Sequence, residues 1–389
     1  MTVRESSNYL LLPLALGTFV LGTDLFVMNG LLPIIASDLH VSVAQAGQLT
    51  TIFAATYAVS SPIIAASTGS LDRRWVLAAG AALFTLGMIG QAAGTTYLVV
   101  ALGRFAAAIG AAAFQSTAFM VAAALTSEEN RGRALALVTT GMTVSSVAGV
   151  PIGILAERWI GWRGVMWAIA AVAAVVMVAV TLLPRVTLPA AGLRDRLAVL
   201  VQPRVLHVLA VSVLAMVALF GAFGYLPTIL ESGVPHTALP WVFVLFGTGQ
   251  VLGNNRAGVW CDRLGAHRTM LIGLIGVAVG LAALTVGAGH LVSALVLAAL
   301  IGFFGGMVTV PQQHRLFKVA PQAPTVALGL NGSAIYAGVA LGASLGGVVL
   351  HQAGPGWLAP TATVVALLAV AVAATIRQPV ATAKDPVRV

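Results

Sequence analysis

Residues 269–314 read TMLIGLIGVAVGLAALTVGAGHLVSALVLAALIGFFGGMVTVPQQH, without one Asp, Glu, Lys or Arg. A helix needs about 20 apolar residues to cross the hydrocarbon core of a bilayer. This run is long enough for two such helices, and Gly287-Ala-Gly-His290 breaks it near the middle. It therefore predicts two membrane-spanning helices joined by a tight turn. Residues 319–376 repeat the pattern, with a break at 351–356.

The whole chain agrees. Of 389 residues, 59% are apolar and 8% charged, and the mean hydropathy is +1.00. An average soluble domain carries about 25% charged residues. Too few polar groups remain to cover a water-exposed surface, which excludes an ordinary cytosolic enzyme, a nucleic-acid binder and a disordered chain. A lipid-facing β-barrel would show short alternating segments instead of long apolar runs. The fold class is all-α polytopic membrane protein. One cysteine, Cys261, excludes an intrachain disulfide and a cysteine metal cluster. The opening MTVRESSNYLLLPLALG enters an apolar segment with no small-residue cleavage site, which predicts a retained first helix.

Twelve helices are expected, at 9–36, 44–68, 75–94, 97–125, 134–157, 164–184, 205–230, 240–260, 269–288, 291–313, 324–350 and 357–376. Their orientation follows from Lys and Arg, which concentrate on cytoplasmic loops. Placing both termini in the cytoplasm puts sixteen of the twenty Lys and Arg residues there, among them Arg73, Arg74, Arg131, Arg263, Arg268 and Arg315. Only Arg158 and Arg163 fall on the other side, while Arg104 and Arg256 lie within helices. The longest connection divides the chain into an N-terminal half at 1–184, a cytoplasmic linker at 185–204 and a C-terminal half at 205–389. Asp72-Arg73 recurs as Asp262-Arg263, in the corresponding loop of the second half. Duplicated six-helix halves suggest a transporter with its binding site between them.

Asp24 is the one acidic residue near the middle of an expected helix. An ionised carboxylate at that depth costs roughly 2.5–3.5 kcal/mol on insertion scales, so intramembrane acids are functional by default. A group there can be neutral in one state and ionised in another, as proton coupling requires. The plainer reading is a cavity residue that only hydrogen-bonds cargo. Arg104 keeps its charge and needs a partner: Asp24, an anionic substrate, or carbonyls of the first helix. A purely structural clamp is the alternative. Arg256 sits near a helix end and can snorkel to the headgroups. Gln250, Asn254 and Asn255 make the eighth helix polar enough to face a cavity. In the fifth helix, Pro151 removes a backbone donor among Gly141, Gly149 and Gly153, a combination that suits a bending point or tight packing. Asn331, Ser333 and Tyr336 of the eleventh helix, and Phe220, Phe223 and Tyr225 of the seventh, can line a ligand site or serve packing. No metal-ligand spacing, Walker loop or nucleophile elbow is present, so neither an enzyme nor an ATP-driven pump is expected.

These motifs resemble the major facilitator superfamily, and within it the twelve-helix drug:proton antiporters of the arabinose-efflux and chloramphenicol-efflux type. The segment from Gly258 through Asp262, Arg263 and Gly265 to Arg268 is similar to the superfamily loop pattern. Arg104 with Gly110 resembles the helix 4 arginine motif, and Gly149-Val-Pro151-Ile-Gly153 the antiporter motif. Two positions depart. Thr68 stands where the superfamily loop has glycine, which implies a weaker or differently built first gate. The related permeases place their helix 1 acid at the position of Leu25, and one residue turns a side chain by about 100°.

The resemblance implies proton-coupled efflux of a small, largely apolar or neutral organic compound, with Asp24 and Arg104 handling the proton. A sugar or nucleoside carrier, exporting or uniporting, is the alternative. It implies a cavity lined by Met28, Asn29, Phe220, Phe223, Gln250, Asn331 and Tyr336, a hinge at Gly141, Gly149, Pro151 and Gly153, and a cytoplasmic gate at Asp72, Arg73, Gly258, Asp262, Arg263, Gly265 and Arg268. The expected setting is a monomer in the cell membrane, with cargo, protons and lipid as partners and no cofactor or metal.

Overall fold

The computed structural model describes residues 3–69, 71–128, 130–187 and 192–375. Among the described residues, all regular structure is helical. The first stretch holds α1 (Val3–Asp38), α2 (Val43–Ser67), α3 (Arg73–Ala93) and α4 (Tyr97–Ala124). Next come α5 (Arg131–Val144), a π turn (Ser145–Gly149) and α6 (Val150–Thr181). Beyond them lie α7 (Leu193–Leu200), α8 (Pro203–Phe223), α9 (Leu226–Leu230), α10 (Leu239–Leu264), α11 (Ala266–Gly287), α12 (Leu291–Val319), α13 (Pro324–Ala353) and α14 (Leu358–Thr375).

Ten of these helical stretches are long and apolar enough to cross a membrane by length and composition. One of them, 131–181, has 51 residues. At 1.5 Å per residue it would reach roughly 75 Å, more than twice the hydrocarbon thickness. It doubles back at Gly161, whose φ of 67° and ψ of 167° leave the helical region. This glycine makes the whole turn between the fifth and sixth spans. A further span, α10, is not among the ten because Gln250, Asn254, Asn255, Arg256, Asp262 and Arg263 lower its hydropathy. At 26 residues it is long enough to cross. Ten helices, one of them folded in two, plus α10 give the twelve expected spans among the described residues.

Several boundaries differ from expectation. The seventh helix does not run through 205–230. It stops at Phe223, and α9 begins after Tyr225. Pro227 supplies no N–H, and the residue before a proline avoids the α region, so the helix cannot continue smoothly. The Tyr225 phenol donates to the Ala343 carbonyl at 2.7 Å, fixing the bend. The tenth helix extends past 313 to Val319 and takes Arg315 with it. Instead of lying in a loop, Arg315 is buried, donating to Gln312 Oε1 at 2.9 Å. The linker holds the short helix α7, while 188–191 of it, and the basic residues Arg377, Lys384 and Arg388, lie outside the described residues.

The fifth span carries the π turn immediately before Pro151. The missing proline donor loosens the ladder there. The Ser145 and Ser146 hydroxyls donate to the Met142 and Thr143 carbonyls at 2.6 and 2.8 Å, satisfying acceptors within the span.

Packing follows the logic of lipid rather than water. On α14, Ala359, Ala362, Ala366, Ala369 and Ala373 face inward, while Val364, Leu367 and Leu368 face outward. Bulk outside costs nothing when the solvent is hydrocarbon, and small residues inside let helices approach. Between α10 and α12 the approach is so close that a methyl group on Gly253 would strike the Phe303 carbonyl, and one on Gly306 the Gln250 carbonyl. At the centre, α1 is buried on every side from Val20 to Leu32. That places its one acidic group far from lipid.

Candidate transport site

Asp24 and Arg104 meet in the core, both side chains 0% exposed. Arg104 Nη1 donates to both carboxylate oxygens, at 2.7 and 2.8 Å. Its Nε donates to the Leu49 carbonyl at 3.4 Å, and its guanidinium lies 4.4 Å from the Phe53 ring centroid. Of the three partners open to Arg104 from the sequence, the structure supplies Asp24, with a carbonyl of α2 in place of one from α1. Among the described residues, Arg104 Nη2 has no partner. Removing one member of such a pair strands a buried charge, typically at about 3–5 kcal/mol.

Beside the pair lies a cavity of about 240 Å³, walled by α1, α5, α8, α10, α12 and α13. Its inner wall is aromatic. Phe223 stacks on Phe246 with centroids 4.1 Å apart and meets Phe243 edge-on, and Phe26 stacks loosely on Phe220. Toward the face that carries the Asp72 and Asp262 loops, the wall becomes polar at Thr139, Thr143, Gln250, Asn254 and Thr309. Thr139 is exposed there, and so are the neighbouring Thr140 and Asn255. On the opposite face the first and last six spans close on each other. Tyr225 wedges against Gly47 and Gly346, Ile154 and Phe243 flank Gly30, and Arg158 donates to the His236 carbonyl at 3.4 Å. On that same face, Arg163 pairs with Asp38 and donates to the Gly94 carbonyl at 2.8 Å, tying α1, α3 and the turn at Gly161. The cavity is thus open toward the basic loops and shut on the other side.

Phe220, Phe223, Gln250 and Tyr336 line this cavity. Met28, Asn29 and Asn331 do not. On α1 the cavity side belongs to Leu25 and Phe26. Met28 lies one turn beyond Asp24 on the same side of the helix and is fully buried. Asn29 Oδ1 accepts from Thr50 Oγ1 of α2 at 3.2 Å. Asn331 Oδ1 accepts from Ser212 Oγ at 2.7 Å, in a buried network that continues to Gln312. The one-residue shift in α1 therefore has a definite result. Leu25, the position to which the resemblance assigns the helix 1 acid, is on the cavity wall, and Asp24 is turned behind it.

Gly141, Gly149 and Gly153 all press on α1. A methyl group there would strike the Ala15 carbonyl, Thr23 Oγ1 and Val27 respectively. In the two Asp-Arg loops, Asp72 caps α3 and Arg73 is fully buried. Asp262, Arg263 and Arg268 are exposed, Gly258 has open space around it, and Gly265 adopts φ 84° to end α10.

Sequence reasoning passed over Phe53, Tyr57 and Gln115. Tyr57 and Tyr336 stack with centroids 3.6 Å apart, and their phenols donate to Gln115 Oε1 at 3.1 and 3.4 Å. The helical spacing was a usable signal. Leu49, Phe53 and Tyr57 are four apart on one face of α2, and Gln115 follows Arg104 by eleven residues, three turns along α4.

The family model of the Major Facilitator Superfamily matches residues 14–236 and 208–388. A chloramphenicol resistance protein of Streptomyces lividans is 34% identical over 91% of this chain and 93% of its own length. The inner membrane transport protein YdhP of Escherichia coli (strain K12) is 32% identical over 90% of each chain. The putative transporter AraJ of the same strain is 29% identical over 64% of each. The chain belongs to the major facilitator superfamily and is a multi-pass membrane transporter.

Proposed function

We propose that this superfamily member exports a small, largely apolar or neutral organic compound in exchange for protons. It would do so by alternating access between two six-helix halves, 1–184 and 205–389, joined by the linker 185–204. The observation that carries the reading is the fully buried Asp24–Arg104 pair beside a mostly apolar cavity that opens on one face. The bias of Lys and Arg makes that face cytoplasmic, with both termini on it, in the cell membrane. The state described here is then the one that loads cargo from the cytoplasm. The protein acts as a monomer, with each half supplying cavity wall.

A proton bound to Asp24 cancels the charge that holds Arg104, which loosens α1 from α2 and α4. Loss of the proton on the cytoplasmic side restores the pair. Moving one charge across 100 mV is worth about 2.3 kcal/mol, so each such cycle can drive uphill export. The hinge at Gly141, Gly149, Pro151 and Gly153 lies against α1, where this motion starts. The resistance protein among the relatives supports a drug-like cargo. The polar rim of Gln250, Asn254 and Thr309 supports a second reading, a sugar or nucleoside carrier of the same fold.

Purified protein in liposomes, with a pH dye inside and chloramphenicol as first probe within a panel of neutral drugs and sugars, tests the reading. Wild type should couple probe movement to counter-movement of protons. Asp24→Asn should abolish proton-driven export while probe binding stays measurable, and Asp24→Glu should keep partial activity. Unchanged, pH-dependent uphill export by Asp24→Asn would remove the role given to this residue.

A further inference from the structure

Asp24 lies behind the cavity wall, so a proton exchanging with the cavity must pass something. Tyr336 lines the cavity on α13 and stacks flat on Tyr57 of α2 at an interplanar angle of 20°. Tyr57 and Tyr336 are 4% and 6% exposed. Gln115 of α4 accepts from both phenols, and its amide donates to Met142 Sδ of α5 at 3.4 Å. Three helices of the first six spans thus meet α13 of the last six at one polar knot.

The knot is also wired to the ion pair. The face of α2 that ends in Tyr57 begins with Leu49 and Phe53, the carbonyl and ring that hold Arg104. Arg104 and Gln115 share one face of α4. A displacement of Tyr336 by anything entering the cavity is therefore passed along α2 and α4 to the group that neutralises Asp24.

We propose that Tyr57, Tyr336 and Gln115 form a latch that seals the Asp24–Arg104 pair from the cavity, making water access to Asp24 conditional on the state of Tyr336. These are positioning residues, and the proposal rests on the proton-coupled reading above. The latch also spans the two groups of helices that must part on the shut face, so its opening accompanies any change of access.

The test is accessibility of the carboxylate in full-length purified protein. A water-soluble carbodiimide with glycine ethyl ester marks carboxyl groups that water can reach, and mass spectrometry counts the adduct at Asp24. Loss of one buried aromatic stack corresponds to about tenfold in an equilibrium. Tyr57→Ala and Tyr336→Ala should each raise the labelling rate of Asp24 by about that factor. Tyr57→Phe and Tyr336→Phe keep the stacked rings but lose one bond to Gln115, and should label between wild type and alanine. Glu128, 91% exposed, should label equally in every variant and normalises the reagent, while an unchanged thermal midpoint and a single monodisperse elution peak show that each variant is folded. Unchanged Asp24 labelling in both alanine variants overturns the latch, and so do phenylalanine variants that label as fast as alanine. If Asp24→Asn instead still drives uphill export, the proton reading fails while the labelling result stands on its own.

Discussion

The two loops of the basic face share an Asp-Arg pair and place it in opposite circumstances. The second, Asp262-Arg263-Leu-Gly265-Ala-His-Arg268, carries the fuller motif, yet its charged side chains are exposed and, among the described residues, Asp262 has no ion-pair partner. The first departs from the motif and is locked. Arg73 donates to the Thr68 and Gly69 carbonyls at 2.9 and 3.3 Å and to Thr68 Oγ1 at 3.1 Å. Asp72 accepts from the Arg74 and Val186 amides at 3.1 and 3.3 Å, which pins the strand of chain leaving α6. The residue that breaks the pattern, Thr68, is one of the groups that hold it. The first loop is held by its own hydrogen bonds in a way the second is not. A motif specifies which groups are available, and the conformation decides which of them are engaged.

The contrast should survive mutation in a graded way. The largest effect belongs to Arg73→Ala, which removes a buried charged donor from several acceptors. Hydrogen bonds to charged groups are worth about 1.5–3 kcal/mol each, so a marked drop in the thermal midpoint of the detergent-purified protein is expected. Arg263→Ala should stay within about 0.5 kcal/mol of wild type, as exposed substitutions do. Equal midpoints for the two would erase the difference between the loops.

Next comes Asp72→Ala, which loses a helix cap and should cost about 1 kcal/mol. Asp262→Asn should leave the midpoint unchanged and slow transport, because an exposed carboxylate free in the open state is available to pair in the closed one. Full transport by Asp262→Asn would reduce that loop to solvated surface. The smallest effect is expected from Thr68→Gly, which restores the family pattern at the loss of one neutral side-chain partner, about 1 kcal/mol or less. A more stable Thr68→Gly protein would show that the hydroxyl is incidental.

The membrane class and the number of spans were legible in the sequence because apolar runs and the Lys/Arg bias survive any packing arrangement. Even α10, whose polar residues lower its hydropathy, lies within a few residues of the expected 240–260. Asp24 and Arg104 were legible as isolated charges at depth. Rotation about helix axes was not. Lipid and protein interior are equally apolar, so no periodicity told that Leu25 and Phe26, and not Met28 and Asn29, face the cavity. Asn331 was misread for the same reason, since a polar residue among glycines fits a cavity wall and a buried network alike. The break at Tyr225 was announced by Pro227, and the linker helix α7 was too short and too charged to register among longer apolar runs.

The π turn at Ser145–Gly149 restricts how the gene for this protein can drift. A π turn is an α-helix holding one residue too many. In an unbroken α-helix each added residue turns everything beyond it by about 100°, and the wide turn takes up that rotation locally so that the two flanks keep their faces. Gly141 and Gly149, eight residues apart, would lie about 80° apart on a regular α-helix, but with one residue absorbed they come within about 20° of one face, against Ala15 and Thr23 of α1. A single-codon deletion among 145–148 should therefore leave both glycines on α1, whereas one in the regular helix between Gly149 and Gly161 should turn the rest of the span away from it.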